Sequence, residues 1–356
     1  MTSNLARLKP ENITRILSSG SALRELKKVD PSDRYVLLFP DSDRVHVGMG
    51  LNLLNSPAED VFFQAEKLLN KNLLQLCLEG PRSDLRDSLE NRSLAAFVTS
   101  HALVTKLSHE QKHTIELCKA AGGIGVGFVN SLVFSGAMTF VDGLNLVQKR
   151  AQAMERIAKV VPSARLFLRL RPATRKHKVC AAAVEHCLKS GIPKEVAVCS
   201  VTKQISPHHI EVGGHEEAIK YLESEGPRLF EFYKIRRLEG DPSAYNTELM
   251  RPAQQYIHAY MNQNLKENAN YLKDPSTCSV YSATSGCRLR LTKTILQDLC
   301  DFPVKPILVE QLLDYLFKRG KGTAMPNTLV VWDKNLFSTL ASVNERAYRS
   351  ARLLRA

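Results

Sequence analysis

The chain has 356 residues, of which 44% are hydrophobic and 24% are charged. This composition is typical of a soluble globular protein of about two domains, and it excludes a mainly disordered, collagen-like or coiled-coil chain. The net charge of +13, from 49 Lys and Arg against 36 Asp and Glu, is typical of a protein with polyanionic partners or of one in a basic compartment such as the mitochondrial matrix.

Residues 1–32 predict an N-terminal extension without a secretory signal, because no apolar segment follows Met1. The lysines, arginines and serines of this segment resemble a mitochondrial presequence, although Glu11 and Glu25 weaken the pattern. Eight cysteines, none of them spaced as CxxC, predict reduced thiols rather than a disulfide framework.

An alternation of buried strands and helices begins at Tyr35. The apolar run Tyr35–Phe39 predicts a buried parallel strand. The uncharged run from Ala120 to Val141 is long enough to suggest a membrane span, but its glycines and polar residues favour a buried strand, a turn and a helix. Periodicity predicts helices over residues 56–77, 94–106, 114–120 and 141–159. This order indicates an α/β architecture.

The segment from Leu166 to Phe232 has a different pattern, in which short apolar strands alternate with two helices at residues 178–189 and 216–224. The strand candidates are LFLRL, EVAVCSV, HHIEVGG and RLFEFYKI. The order β-α-β-β-α-β is the signature of a ferredoxin-like fold. We therefore predict a small α+β insert over residues 161–235.

The chain then returns to helices, at residues 249–272, 291–300 and 309–319, and to a last buried strand at 328–332. The prediction is a large hydrolase-like α/β domain with a parallel sheet, formed by residues 33–160 and 236–340. The insert interrupts this domain, and a basic tail over residues 341–356 follows it.

The sequence His109–His113 matches the zinc-binding pattern HExxH of zinc proteases. Ser108 is typical of a helix N-cap, which would place His109 at an exposed helix start. We therefore interpret the match as chance, and we predict neither a metal nor a cofactor.

A glycine-rich turn has the spacing of a nucleophile elbow, G-x-S-x-G, in which a strained strand-to-helix turn presents a serine. Gly123 and Gly127 take the glycine positions, and Gly125 takes the serine position. The turn therefore has no nucleophile, and by itself it indicates only a helix N-terminus able to hold an anion.

Five segments, in order across residues 35–340, together resemble the mitochondrial malonyl-CoA:acyl-carrier-protein transacylase family. They are similar to the family patterns LFPGQGSQxVGMG, GHSLGE…LVxxGAxxF, LVxxRxxxM, GxFHxxLMxPA and VYSNVxG. The matching residues are Leu37–Pro40 with Val47–Gly50, Gly123–Gly127 with Leu132–Phe140, Leu146–Met154, Ser243–Ala253 and Val280–Gly286.

The resemblance implies a hydrolase-like α/β domain with a ferredoxin-like insert, and a ping-pong reaction in mitochondrial fatty-acid synthesis. A serine would take malonyl from coenzyme A with a histidine as base, and the thiol of the carrier's phosphopantetheine would then attack the serine ester. An arginine would pair with the malonyl carboxylate in a bidentate way.

Residue by residue, the resemblance also implies that the catalytic groups are missing. The serine position is Gly125, which cannot form an ester, and the histidine position is Asn246, which cannot cycle a proton at neutral pH. A nucleophile and its base act as a unit, so their loss costs several orders of magnitude in rate. The prediction is a catalytically silent paralogue. The alternative is an active transacylase whose nucleophile has moved, with Ser131, Ser135 and Cys118 as the candidates.

Three further family positions define a possible remnant of the substrate site. Ser42 falls on the glutamine whose backbone helps to form the oxyanion hole, and the backbone N–H of Val126 is the second oxyanion donor. Arg150 falls on the carboxylate-binding arginine, either as a ligand-binding remnant or as a structural residue. Beside Ser42, Asp41 and Asp43 would repel an incoming malonyl or phosphate group, so we expect coenzyme A binding to be weakened.

Basic residues cluster away from the glycine-rich turn. The tail arginines are spaced three apart, which would place them on one face if that segment is helical. The predicted partner surface consists of Arg165, Arg169, Arg171, Arg175, Lys176 and Lys178 at the start of the insert and Arg346, Arg349 and Arg352 in the tail; further clusters are Lys234, Arg236 and Arg237, and Lys318, Arg319 and Lys321.

Two partners fit such charge: an acidic acyl carrier protein, or an RNA such as that of a mitochondrial ribosomal particle. Without an aromatic strand of the RNP type, RNA contacts would rest on shape and phosphates. The main hypothesis is thus a silent, transacylase-like protein of the mitochondrial matrix that acts by binding and has no membrane span.

Overall fold

The computed structural model describes residues 35–230, 232–238, 243–317 and 326–355. The strands in these ranges are β1 (Tyr35–Phe39), β2 (Cys118–Gly123), β3 (Ser163–Arg169), β4 (Cys199–Gln204), β5 (His209–His215), β6 (Lys234–Arg237), β7 (Ser279–Ser282), β8 (Cys287–Leu289), β9 (Ile307–Leu308), β10 (Asn327–Val331) and β11 (Ala351–Leu354). The helices are α1 (Glu59–Leu69), α2 (Leu73–Glu79), α3 (Arg82–Asp87), α4 (Leu89–Glu110), α5 (Lys112–Glu116), α6 (Val126–Phe134), α7 (Phe140–Ala158), α8 (Lys176–Lys189), α9 (Glu216–Ser224), α10 (Gly226–Phe230), α11 (Arg251–Glu267), α12 (Thr292–Asp301), α13 (Val309–Phe317), α14 (Lys334–Val343) and α15 (Glu345–Arg349).

The larger sheet has the strand order β11-β10-β1-β2-β7-β8, and all of its pairs are parallel except the β7–β8 edge. Every residue of β1 is buried. Because side chains alternate across a strand, Leu37 and Phe39 join one hydrophobic core while Val36 and Leu38 join another. A sheet covered on both faces explains the continuous apolar run in the sequence, and the α/β prediction is confirmed.

The second sheet contains the insert strands in the order β6-β3-β5-β4, all antiparallel, which is the ferredoxin-like order. Apolar residues on one face of this sheet pack with residues of α8 and α9, among them Leu166, Val179, Ile210 and Ile219. A short strand outside the insert, β9, adds to β4 in parallel and so connects the sheet to the larger domain. The ferredoxin-like prediction is confirmed.

Some predicted element bounds were wrong. The helix over residues 56–77 is two helices, because Asn70 adopts a left-handed conformation (φ 51°) between them. The helix over residues 114–120 is α5 followed by β2, since pairing with β1 overrides the local helical pattern. RLFEFYKI is divided between α10 and β6. EVAVCSV becomes a strand only from Cys199.

The C-terminal segment is not one basic helix. Its end is β11, which pairs with β10 at the edge of the larger sheet. Arg352 lies in that strand, whereas Arg349 lies in α15 and pairs with Glu345 at 2.6 Å. The expected single face of three arginines therefore does not form, because a strand replaces the second turn of the helix.

Two motifs acquire different contexts in the fold. Ser108 lies near the C-terminal end of α4 rather than at an N-cap, and the HExxH spelling spans the break between α4 and α5. The uncharged run from Ala120 contains β2 and α6, as predicted. Among the described residues, no helix combines the length and the apolarity that crossing a membrane requires.

A pH-dependent stability follows from Asp298 in α12. This buried carboxylate accepts a 2.5 Å hydrogen bond from the Ser282 hydroxyl, and burial raises the pKa of Asp298 to about 6, above its ordinary 3.8. Because the folded pKa exceeds the unfolded one, the stability that protonation provides is complete below about pH 4 and is lost as the pH rises to about 6. Asp298→Asn should stabilise the protein by about 1–3 kcal/mol at neutral pH and by nothing near pH 4 in urea denaturation. An equal gain at both pH values would contradict this explanation.

Candidate functional site

The turn between β2 and α6 keeps the geometry of a nucleophile elbow. Gly125 has φ 57° and ψ −115°, a conformation that side-chain-bearing residues rarely adopt. A Cβ at Gly123 would overlap the Phe128 backbone, and a Cβ at Gly127 would overlap the Phe39 carbonyl oxygen. The close-packed turn is therefore present, with no side chain at its apex.

The carboxylate of Asp41 occupies the space that a side chain at position 125 would take. A Cβ on Gly125 would lie closer than 3.0 Å to the Asp41 Cγ and to both carboxylate oxygens. Asp41 Oδ1 also accepts hydrogen bonds from the backbone N–H groups of Ser42 (2.8 Å) and Val126 (3.2 Å). These are the two N–H groups that the family resemblance assigns to the oxyanion hole. Both donors are thus directed at the protein's own carboxylate.

Lys203 of β4 balances the two carboxylates. Its buried ammonium pairs with Asp43 and lies 3.8 Å from Asp41 Oδ2. Burial and the Asp43 charge raise the pKa of Asp41. Burial also acts to raise the pKa of Asp43, but the cations of Lys203 and Arg165 hold it well below its usual range. The repulsion of ligands that we expected from two added carboxylates is therefore reduced, because Lys203 compensates much of their charge.

Asn246 lies in the loop before the 3-10 turn Glu248–Met250, in a left-handed conformation with φ 62°. Its side-chain amide is buried and donates a 2.7 Å hydrogen bond to the Phe302 carbonyl oxygen. An amide in this position orients the loop, and it has no basic nitrogen with which to accept a proton from a nucleophile.

Arg150 projects from α7 into the same region and is only 3% exposed. Its guanidinium lies 4.1 Å from the centre of the Phe302 ring, and among the described residues its Nη1 has no hydrogen-bond partner. Burial lowers the pKa of Arg150 to about 10, although the Asp41 charge opposes this shift. The side chain is therefore a cation at neutral pH. Among the described residues, no salt bridge joins it to a carboxylate that would explain a structural role.

These residues enclose a cavity of about 40 Å³, which has room for about one or two water molecules. Asp41, Arg150, Lys203 and Asn246 all line it. The described lining contains neither a histidine nor a cysteine. Asp41 and Asp43 of this lining face Lys203, whose pKa they raise against the effect of burial.

The three candidates for a displaced nucleophile lie outside this cavity. The Ser131 hydroxyl donates to the Phe128 carbonyl at 2.7 Å, and the Ser135 hydroxyl donates to the Leu132 carbonyl at 3.0 Å, so each is bonded within its own helical turn. Burial raises the pKa of the Cys118 thiol to about 12. None of the three is activated in the way that nucleophilic catalysis requires.

The predicted basic residues are divided among several surfaces. Arg165 lines the cavity, Arg169 and Arg171 lie at the exposed end of β3, and Lys176 donates to the Gln204 side chain at the start of α8. Lys318, Arg319 and Lys321 lie outside the described residues, as does the side chain of Arg346. Of the cations at the start of α8, Arg175 and Lys178 are exposed.

Sequence reasoning missed Lys203. The residue lies in an insert strand, and its partners Asp41 and Asp43 lie 160 or more positions earlier in the chain. A lysine inside an otherwise mostly apolar or uncharged strand was the available signal, because a buried lysine needs a carboxylate partner.

Comparison with known proteins identifies relatives over most of the chain. The malonyl-CoA-acyl carrier protein transacylase, mitochondrial, of Homo sapiens is 37% identical over 322 residues, which cover 90% of this chain and 80% of that protein. The protein named as the probable mitochondrial transacylase of Drosophila melanogaster is 33% identical over 325 residues, which cover 91% of this chain and 83% of that protein. No family model matches the chain.

Solved structures share the fold at lower identity. The acyl-carrier-protein-S-malonyltransferase of Bartonella henselae superposes with a TM-score of 0.76 at 16% identity, covering 91% of this chain and 96% of that one. A malonyl-transacylase solved in complex with its type II polyketide acyl-carrier protein superposes with a TM-score of 0.73 at 15% identity, covering 90% and 94%.

Proposed function

Because this chain belongs to the family of mitochondrial malonyl-CoA-acyl carrier protein transacylases, we propose that it keeps the family fold but acts by binding, without transferring malonyl groups. We place it in mitochondria, because relatives at 33–37% identity carry that location in their names.

The position of the Asp41 carboxylate is the observation that carries this proposal. An acyl ester would need a side chain at position 125 and a free oxyanion hole, and one carboxylate fills both places. Stabilisation of the oxyanion is often the largest single contribution to acyl transfer. Because Asp41 Oδ1 already accepts from both donors, they are not available to stabilise a developing oxyanion.

The base position supports the same conclusion. The Asn246 amide is bonded to the Phe302 carbonyl, and the amide cannot carry a proton between nucleophile and leaving group. The alternative function, an active transacylase with a relocated nucleophile, would need an activated hydroxyl or thiol, and Ser131, Ser135 and Cys118 are each held in an unreactive environment.

The partner that we propose for this binding is an acyl carrier protein. The names of the relatives include the acyl carrier protein, and one structurally similar malonyl-transacylase was solved in complex with its own acyl-carrier protein. The cavity beside the elbow is small, about 40 Å³, and we propose that the carrier docks on the protein surface without placing an acyl group there. We propose the exposed cations at the start of α8, Arg175 and Lys178, as the docking site for an acidic carrier.

The test combines binding and turnover in the same samples. Calorimetry with holo acyl carrier protein should show binding, and an assay with malonyl-CoA should show no transfer above the uncatalysed rate. The charge reversal Arg175→Glu/Lys178→Glu should weaken carrier binding by about tenfold or more, whereas the matched reversal Lys220→Glu on α9 should not. Turnover comparable to that of the human relative would overturn the proposal, and equal binding by all three proteins would overturn the assigned surface.

A further inference from the structure

The insert sheet has one face that its helices do not cover. Leu166 and Leu168 of β3 point into the core formed with α8 and α9, so the alternate residues of the same strand point to the opposite face. In β6 the same alternation directs Lys234 and Arg236 to that face, since Ile235 packs in the core. We name this surface the open face. It includes Phe167, Arg169, His209, Glu211, Lys234 and Arg236.

Two aromatic rings stack at the centre of the open face. The rings of Phe167, on β3, and His209, on β5, have centroids 5.9 Å apart and planes 20° apart. Burial and the neighbouring Arg169 lower the pKa of His209, so its ring is neutral at physiological pH. Both rings are half-buried. The two central strands of a ferredoxin-like sheet therefore carry a pair of adjacent, nearly parallel aromatic rings.

Cations lie against Phe167 and against the neighbouring ring of Tyr233. The Arg236 guanidinium lies 5.9 Å from the Phe167 ring centre. Those of Arg169 and Arg171 lie 5.5 Å and 5.0 Å from the ring of Tyr233, which is 57% exposed. On the opposite face of β6, by contrast, Arg237 pairs with Glu216 and Glu223 at 2.6 Å and 2.8 Å. The charge of Arg237 on the helix side is therefore neutralised, while Arg169 and Arg236 on the open face lie against aromatic rings.

One carboxylate also belongs to the open face. Glu211 lies opposite Phe167 in β3 and opposite Lys203 in β4. Its charge raises the pKa of Lys203, which places the two groups in electrostatic contact. The acidic residue is thus compensated at the end of the face nearest the cavity, and the outer end remains positive.

The charged surface continues beyond the sheet. A groove of about 770 Å³ passes between the insert and the larger domain, lined among others by Arg44, Arg82, Arg86, Arg92, Arg165 and Arg236. Arg236 belongs to both the groove and the open face, so the two surfaces are continuous.

We propose that the open face binds single-stranded nucleic acid, with bases stacked on Phe167 and His209 and phosphates held by Arg169, Lys234 and Arg236. Aromatic side chains on the two central strands of a four-stranded sheet, flanked by cations, are how sheet surfaces hold unpaired bases. An acidic protein would use the cations but would not need the adjacent aromatic pair. The sequence predicted no such aromatic strand, because the two rings meet only through the β3–β5 register.

The test uses the full chain and a fluorescent single-stranded RNA of about 12 nucleotides. Phe167→Leu and His209→Leu, which keep apolar volume, should each weaken binding by roughly 5- to 30-fold and leave its salt dependence unchanged. Arg169→Gln and Arg236→Gln should each reduce the slope of log affinity against log salt by about 0.7. Matched controls are Tyr256→Leu and Lys220→Gln, an exposed aromatic and a cation away from the open face.

The outcomes separate the alternatives. Wild-type affinity in both Phe167→Leu and His209→Leu, with native melting curves, would overturn the proposal, as would duplex RNA that binds as tightly as single strands. If RNA does not bind while acyl carrier protein binds and Phe167→Leu weakens that binding, the open face belongs to an acidic protein partner instead. If Phe167→Leu and His209→Leu lose RNA binding but still bind the carrier, the result supports RNA binding by the open face. That result does not bear on the proposed lack of catalysis.

Discussion

Exchange of Lys203 for methionine is expected to lower the free energy of unfolding by about 3–5 kcal/mol. The ammonium of this residue pairs with Asp43 and lies 3.8 Å from Asp41; Lys203 and Asp41 are largely buried, and Asp43 is partly exposed. Methionine fills a similar volume but leaves two neighbouring carboxylates without their cation. Breaking one side of a buried ion pair is costly because the remaining charge is no longer compensated.

The pH dependence of this loss tests its cause. In the wild type the folded pKa of Asp43 is depressed, so its contribution to stability is present above the unfolded pKa and is lost on acidification. In Lys203→Met the folded pKa values of both carboxylates should be raised, so that acid stabilises the variant relative to neutral pH. Urea denaturation should therefore show the two proteins converging as the pH falls from neutral towards about 4.

Two further variants control this experiment. Lys220→Met, which removes an exposed lysine from a pair with Glu217 in the same insert, should leave the free energy of unfolding almost unchanged, because exposed ion pairs contribute little. Adding Asp41→Asn and Asp43→Asn to Lys203→Met should recover most of the loss, because no buried charge then lacks a partner. A triple variant as unstable as Lys203→Met would show that packing, not charge, sets the cost.

A serine restored at the elbow should not restore acyl transfer, and it should destabilise the fold. Gly125→Ser is expected to lose about 2–4 kcal/mol, because its Cβ would overlap the Asp41 carboxylate and because a serine would carry a positive φ. The variant should also show no acyl transfer, since both oxyanion donors would still face Asp41. Chemical denaturation and a malonyl transfer assay measure the two effects.

The overlap and the backbone strain can be separated. Gly191 also has a positive φ (81°), but a Cβ there would meet nothing within 4 Å. Gly191→Ser should therefore cost only the backbone contribution, roughly 1 kcal/mol. The double variant Asp41→Gly/Gly125→Ser should recover the steric part of the loss. Equal stability of Gly125→Ser and Gly191→Ser would mean that Asp41 does not occupy the nucleophile's space.

Much of the fold was predictable because its signals are local. The fully apolar run of β1 indicates a strand buried on both faces, and the β-α-β-β-α-β order of the insert can be read from short periodic segments. The first residues of β2, Cys118–Ala120, were predicted as the end of a helix, because their strand character comes from pairing with β1 rather than from their own pattern. The sequence also shows Gly125 and Asn246 at the positions that the family resemblance assigns to the catalytic serine and histidine.

The electrostatics of the site were not predictable in this way. The sequence placed Asp41 and Asp43 beside the oxyanion loop and suggested repulsion, but the compensating Lys203 comes from the insert. That Asp41 fills the space above Gly125 depends on how the β1 loop packs against the elbow. The stacking of Phe167 on His209 likewise depends on strand register. Contacts of this kind join distant segments, and residue spacing carries little information about them.

The most direct test of the central claim is whether malonyl-CoA leaves a covalent malonyl group on the protein. Wild-type protein is incubated with malonyl-CoA, in parallel with the human relative as a positive control, and the intact masses are measured. If the turn at Gly125 cannot form an acyl ester, the mass of this protein should not change, whereas the human transacylase should gain a malonyl group. A malonyl adduct on the wild-type chain, mapped to any serine, threonine or cysteine near the Arg150 cavity, would contradict the central claim.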